Sequence, residues 1–332
     1  MNQFIRLFLK EIQQKGPMTV KRFMELALYH PLYGYYKSQT VLGKQGDYIT
    51  APELTQAFGE LLALWMIDLW QRLGRPCFVQ VVELGPGRGT MMQDILRTAV
   101  KFPEFYQGLN VYLLETSPVL KGIQRNHLKE EFVHWVDELQ EIPMGKMTFF
   151  FANEFFDALP IEQYVKVQGE WSPRLIGEKD GQLCFLTEGE IKETCEAYLA
   201  YMQEINVRLL KDKGGALIID YGDDLEKERI GDTLQALYRH RYASILQNPG
   251  EQDLSHHVSF SELKSYLDKG NLKISLTSQG EFLQSLGLEP WVEKLCKRAD
   301  KEITAKIKTA AARLISPGEM GQLFKVLAVE SY

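Results

Sequence analysis

The sequence predicts an α/β fold, a Rossmann-like sheet of seven mostly parallel strands. Three observations carry this. Short apolar runs alternate with longer stretches of helical periodicity, the pattern of strand–helix–strand units. The run Val81-Val82-Glu83-Leu84-Gly85-Pro86-Gly87-Arg88-Gly89-Thr90 joins one such strand to an amphipathic segment (Met91, Met92, Ile95, Leu96, Val100) through three alternating glycines. The last two strand candidates stand at the C-terminal end on either side of a helical stretch, which suits an antiparallel edge.

In chain order, Met1 to Lys15 sets Phe4, Ile5, Phe8, Leu9 and Ile12 at helical spacing among Arg6, Lys10 and Glu11. A secretory leader would show a continuous apolar block, and a transit peptide would be rich in Arg and Ser and poor in acids. This segment reads as a surface helix docked on the body. A turn cluster follows at His30-Pro31-Leu32-Tyr33-Gly34-Tyr35-Tyr36. The strand candidates are Phe78–Glu83, Asn110–Glu115, Phe132–Val136, Lys146–Ala152, Gly215–Tyr221, Asn271–Thr277 and Gln322–Val329, with Gln279–Leu314 helical. Residues 1–75 are expected to form a helical N-terminal extension packing on the core, and 76–332 the main domain. Insertions interrupt that domain at about 160–212, where strand-like segments precede a helix, and at 222–270, which is loop-rich. Long loops inside a compact domain usually serve function, so the additions are expected on the substrate side.

Composition bounds the function. The chain has 332 residues, 45% of them hydrophobic, enough for a sizeable core. Acidic residues exceed basic ones and the formal net charge is −6, so the basic footprint of a nucleic-acid binder is absent. No run approaches the roughly 20 apolar residues of a membrane span. Cys77, Cys184, Cys195 and Cys296 are scattered with no C-x-x-C pair, which favours reduced thiols over disulfides or zinc. No metal site is expected.

The chemistry is read at the strand ends, where open α/β sheets bind ligands. Glycines at alternate positions let a backbone turn press against a flat ligand. The spacing of Gly85, Gly87 and Gly89 departs from the dinucleotide fingerprint, which needs a third glycine at position 90. Glu83, just before the glycines, would repel a pyrophosphate. It suits a ligand carrying a cationic amine and a sulfonium, which points to S-adenosylmethionine. Glu115 ends the second strand, where a carboxylate accepts the ribose hydroxyls of a nucleoside. Its alternative is a helix N-cap or a surface acid. Asp137 and Glu138 after the third strand suit either the adenine edge or a solvated helix start. The fourth strand ends in Asn153-Glu154-Phe155-Phe156-Asp157-Ala158-Leu159-Pro160, beside the expected position of a transferring methyl. Carboxylates there, Glu154 and Asp157, suit a cationic nitrogen acceptor. An arginine guanidinium is not deprotonated by a side chain. A carboxylate fixes it bidentately instead and directs one nitrogen at the methyl. Glu154 and Asp157 equally suit helix capping.

These strings, with Gly46–Glu60, Asp220–Gly222, Gln247–Phe260 and Ser278–Leu283, resemble the MidA-type family in order over nearly the whole chain. The resemblance implies a class I methyltransferase sheet that uses S-adenosylmethionine. In mitochondrial members it implies dimethylation of an arginine on a respiratory complex I subunit. Position by position it assigns Gly85, Gly87, Gly89, Glu115, Asp47, Thr50 and Glu53 to the cofactor. It places Asn153, Glu154 and Asp157 near the methyl. The segment Leu237-Tyr238-Arg239-His240-Arg241 lacks a glycine expected before the histidine, and Ser259 stands where an acid is frequent. Both departures fall in the substrate region.

The expectation is therefore a cytoplasmic, bacterial-type protein-arginine N-methyltransferase with a protein substrate, no nucleic-acid partner and no stable membrane insertion. A small-molecule methyltransferase and a cofactor-binding assembly factor without turnover are the alternatives.

Overall fold

A computed structural model describes residues 3–37, 50–129, 132–225, 230–239, 241–297 and 299–332. The chain divides into two compact units. One comprises Ile49–Phe156, Tyr201–Gly222 and Leu263–Tyr332, the other Met1–Tyr48, Asp157–Ala200 and Asp223–Glu262. The N-terminal stretch 1–75 is thus shared between them.

The first unit holds the main sheet. Its strands are β1 (Val79–Leu84), β2 (Leu109–Leu114), β3 (Val133–Val136), β4 (Met147–Asn153), β5 (Gly214–Asp223), β6 (Leu272–Ser278) and β7 (Phe324–Ser331). They lie in the order β6-β7-β5-β4-β1-β2-β3. Every expected strand is present within two residues of its expected bounds. Pairing is parallel from β5 through β4, β1 and β2 to β3. Strand β7 runs antiparallel between β5 and β6. Every residue of β1 and of β4 is buried, as central parallel strands covered on both faces require. Edge strand β6 alternates buried and more exposed positions. Chain order reverses between β4 and β1, and that switch point is where an open sheet of this kind forms its crevice.

Helices α1 (Ala57–Arg72), α2 (Thr90–Ala99) and α3 (Pro118–His127) belong to the same unit. Trp65 of α1 meets Phe149 and Phe151 of β4 edge-on, at 6.4 and 6.3 Å between ring centres. A Cβ at position 59 would lie 2.7 Å from that of Asp94, so glycine there lets α1 and α2 pack closely. Ser117 caps α3 by accepting the Leu120 N–H, and Pro118 follows at the first helical position.

The stretch 279–314, expected as helical, is three helices: Gln279–Ser285, Leu288–Cys296 and Lys301–Ile315. Gly287 interrupts it in the left-handed conformation (φ 83°). Asp300 starts the third helix by accepting the Ile303 N–H at 2.8 Å.

The second unit contains helices Gln3–Lys15 and Val20–Tyr29 and three small antiparallel sheets. One of these, built from Gln235–Tyr238, Arg241–Ala243 and Asp253–Ser255, lies in the stretch read as loop-rich. Turn-forming residues there hid three short strands. Among the described residues no helix is long and apolar enough to cross a membrane.

Candidate active site

The glycine turn follows β1. Gly85, Gly87 and Gly89 all have positive φ, at 64°, 54° and 81°. Gly89 is the N-cap of α2 in the left-handed region, and its N–H reaches Pro86 O at 2.7 Å. A Cβ on Gly85 would stand 2.7 Å from Cδ2 of Phe155. The first glycine is therefore required by a neighbouring ring as well as by its backbone, which the sequence reading had not anticipated. Glycine lowers the steric cost of all three conformations.

Glu83 lies one residue inside the end of β1 and is only 2% exposed. Its Oε2 has no hydrogen-bond partner among the described residues. Burial alone pushes its carboxyl up to about 8. On the adjacent strand, the buried Oδ1 of Asn153 likewise has no partner among the described residues. A buried acceptor left unpaired costs free energy. Two of them at the ends of paired strands mark where a donor-bearing ligand would be received. The Glu83 oxygen matches a cationic amine, so the residues fit S-adenosylmethionine.

Beyond β2, Glu115 is buried and accepts Ser117 N–H at 2.7 Å on Oε1 and Gln124 Nε2 at 3.2 Å on Oε2. Its carboxylate thus holds the backbone at the entry of α3 and the Gln124 amide together. The cap of α3 is Ser117, so Glu115 is not the cap but receives the cap residue's N–H. Gln124 also donates to Gly87 O at 2.7 Å, and its Oε1 accepts Trp135 Nε1–H at 2.8 Å. Sequence reasoning missed Gln124. The available signal was a polar residue one turn after Leu120, on the buried face of α3.

Thr50 precedes the short helix Ala51–Leu54, and its carbonyl accepts the Glu53 N–H at 3.0 Å. Glu53 Oε1 accepts the Thr90 hydroxyl at 2.6 Å, which brings this acid to the start of α2. Asp47 lies outside the described residues. After β3, the Asp137 and Glu138 N–H groups both donate to Glu141 Oε1 at 2.8 Å, and Lys121 pairs with Asp137 at 2.7 Å. This is the geometry of a helix start.

At the end of β4, Glu154 adopts φ 51°, a left-handed conformation rare for a non-glycine residue. Its N–H donates to Ile219 O at 3.0 Å, and its Oε1 accepts Asn153 Nδ2–H at 3.2 Å. The next turn is held by Asp220, fully buried on β5. Its Oδ2 accepts Phe156 N–H at 3.1 Å and its Oδ1 accepts Tyr221 N–H at 2.9 Å. Sequence reading marked the Asp220–Gly222 string without giving Asp220 this task. Asn153 and Glu154 are thus fixed in the sheet unit.

Asp157 begins the other unit, with its side chain buried. There the Asp157 carbonyl accepts His256 N–H at 3.0 Å and the Ala158 carbonyl accepts the Tyr29 hydroxyl at 2.8 Å. The Leu159 carbonyl stands 3.1 Å from His256 Nε2.

Comparisons with known proteins show the family. A family model described as S-adenosyl-L-methionine-dependent methyltransferase matches residues 61–188 and 178–276. The chain is 32% identical to "Protein arginine methyltransferase NDUFAF7, mitochondrial" of Danio rerio, over 95% of the chain and 83% of that protein. It is 30% identical to the protein of the same name from Xenopus tropicalis, over 99% of the chain and 86% of that protein. A crystal structure of a COG1565 superfamily member from Burkholderia thailandensis, bound to S-adenosyl-homocysteine, superposes with a TM-score of 0.83. Identity there is 26%, covering 98% of the chain and 91% of that structure.

Proposed function

The chain belongs to the S-adenosyl-L-methionine-dependent methyltransferase family, and from that premise we propose that it N-methylates arginine on a protein substrate. Bound, the cofactor supplies an electrophilic methyl group on a sulfonium. The rest falls to the chain's own residues. Glu83 receives the cationic amine with its unpaired oxygen. Glu115, oriented by Gln124, accepts the ribose hydroxyls. The turn of Gly85, Gly87 and Gly89 gives close backbone approach, with Thr50 and Glu53 completing the cofactor side.

The observation that carries the choice of acceptor is Glu154, a carboxylate held by its backbone at the end of β4. A guanidinium keeps its proton at neutral pH. A carboxylate grips it, localises its charge and leaves one nitrogen to face the methyl. Asn153 assists in that grip. Catalysis is then mostly alignment within a preorganised electrostatic site. Relatives named protein arginine methyltransferases, similar over nearly the whole chain, support this reading.

We place the activity in the cytoplasm. A respiratory complex I subunit, implied by the family resemblance, is the first substrate to test.

The test is transfer from radiolabelled S-adenosylmethionine into a cell lysate, followed by mass spectrometry of labelled proteins. Label on arginine of a discrete protein is expected. Label confined to the small-molecule fraction would overturn the acceptor in favour of a metabolite. No transfer despite normal cofactor binding would leave a docking factor without turnover.

A further inference from the structure

Two adjacent phenylalanines follow β4 and have different fates. Phe156 is fully buried, while Phe155 stays half-exposed with its Cδ2 edge against Gly85. Tyr201 and Phe156 brace the Phe155 ring perpendicularly, at 5.0 and 5.4 Å between centres. We propose that the Phe155 ring recognises the positive charge on the sulfur of the bound cofactor, so that the site prefers the methyl donor over its neutral demethylated product.

The argument begins with what distinguishes the two molecules. Donor and product share the ammonium, the ribose and the adenine. Glu83, Glu115 and the glycine turn therefore treat them alike. Only the sulfur differs, charged before transfer and neutral after it. A group facing the sulfur can tell the two apart, whether by charge, as the Glu154 carboxylate would, or by the face of an aromatic ring.

Position then selects Phe155. Strands β1 and β4 are parallel neighbours, with Leu84 opposite Ala152. Gly85 and Phe155 continue the two chains beyond that register. Strand β2, carrying Glu115, flanks β1 on the opposite side. With the ribose on Glu115, a placement this inference takes from the proposed function, the nucleoside covers the β1–β2 side. Its sulfur, one carbon beyond the ribose, then falls toward β4. A half-open aromatic ring stands there.

An aromatic face attracts a cation through its quadrupole and holds a neutral thioether sulfur more weakly. Preference for the donor of roughly 2- to 30-fold is the range such a contact supplies. The attraction vanishes with methyl transfer, which favours product departure.

The experiment measures dissociation constants of S-adenosylmethionine and S-adenosylhomocysteine by calorimetry on the full chain. It compares wild type, Phe155→Leu, and chains carrying mono-, di- and trifluorinated phenylalanine at 155. Fluorination drains the ring face of electron density at nearly constant shape, so folding is kept even if Phe155→Leu fails. Donor affinity is expected to fall stepwise with fluorine count while product affinity holds, and Phe155→Leu should cut the donor-to-product preference by about 2- to 30-fold. Equal losses for both ligands would make Phe155 a wedge against Gly85 and overturn the proposal. So would unchanged affinities for both ligands across the series. Glu115→Ala run alongside separates the two readings. Unchanged affinity for both ligands there would refute the ribose placement itself, independently of the fluorination series.

Discussion

The Gln124 amide donates to Glu115 Oε2 at 3.2 Å, and it cannot turn round to do otherwise. Trp135 Nε1 is a donor only, and it sits 2.8 Å from Gln124 Oε1. The oxygen must face the tryptophan, so the NH₂ must face Glu115 and the Gly87 carbonyl. One side chain on α3 thereby ties the end of β2, the glycine turn and β3 together.

Gln124→Leu is therefore expected to remove three hydrogen bonds, to Gly87 O, to Glu115 Oε2 and from the Trp135 N–H. Cofactor affinity should fall at least about 5-fold and stability by about 1–3 kcal/mol, the cost of removing such partners. Calorimetry and thermal unfolding read the two effects. Unchanged affinity with lowered stability would confine Gln124 to packing.

Glu115→Ala should weaken cofactor binding by about 1–3 kcal/mol. Because Glu115 also receives Ser117 N–H at the entry of α3, the melting temperature should drop by a few degrees as well. Affinity restricted to the folded fraction is the deciding quantity.

Glu83 makes binding pH-dependent. Its folded pKa stands at about 8, above the ordinary 4.5, because burial penalises the charge. A raised pKa means the folded, ligand-free protein holds a proton that the unfolded chain has lost. The contribution of Glu83 to stability is thus full below about 4.5 and lost as pH rises through about 8. A cationic amine arriving beside it reverses the preference and expels the proton. Between those limits, binding should release up to one proton and tighten as pH rises. Calorimetry in buffers of different ionisation enthalpy measures this directly. Glu83→Gln should abolish the release. That control matters because burial also raises Asp94, to about 7, in the same window.

Glu154→Gln keeps shape and hydrogen-bonding capacity but loses charge. Turnover should fall by about 10²-fold, the scale of one preorganised electrostatic group, with cofactor affinity little changed. Asp157→Asn should act in the same direction and more mildly. Wild-type rates in both variants, measured on an identified arginine substrate, would remove the carboxylates from the mechanism.

Strand positions could be read because a central parallel strand must be apolar on both faces, and Val79–Leu84 and Met147–Asn153 are nearly so throughout. Glu83 stood out for the complementary reason, being an acid inside such a run. The breaks at Gly287 and Asp300 were written in ordinary cap residues but masked by helical spacing on either side. Gln124 and Asp220 were not recoverable as site-shaping residues. Their roles depend on Trp135, Gly87 and Phe156, which lie 11, 37 and 64 positions away in sequence. The reason for Gly85 was only partly visible for the same cause, since Phe155 is distant along the chain.

The left-handed backbone at Glu154 has an evolutionary corollary. An L-residue in that conformation costs roughly 1–2 kcal/mol, which glycine would not. Glu154→Gly should accordingly raise the unfolding midpoint while removing methyl transfer, a trade expected where a strained residue serves chemistry. Under selection for heat resistance alone, position 154 would drift to glycine. Under selection for transfer, the acid would persist at the expense of the fold that carries it.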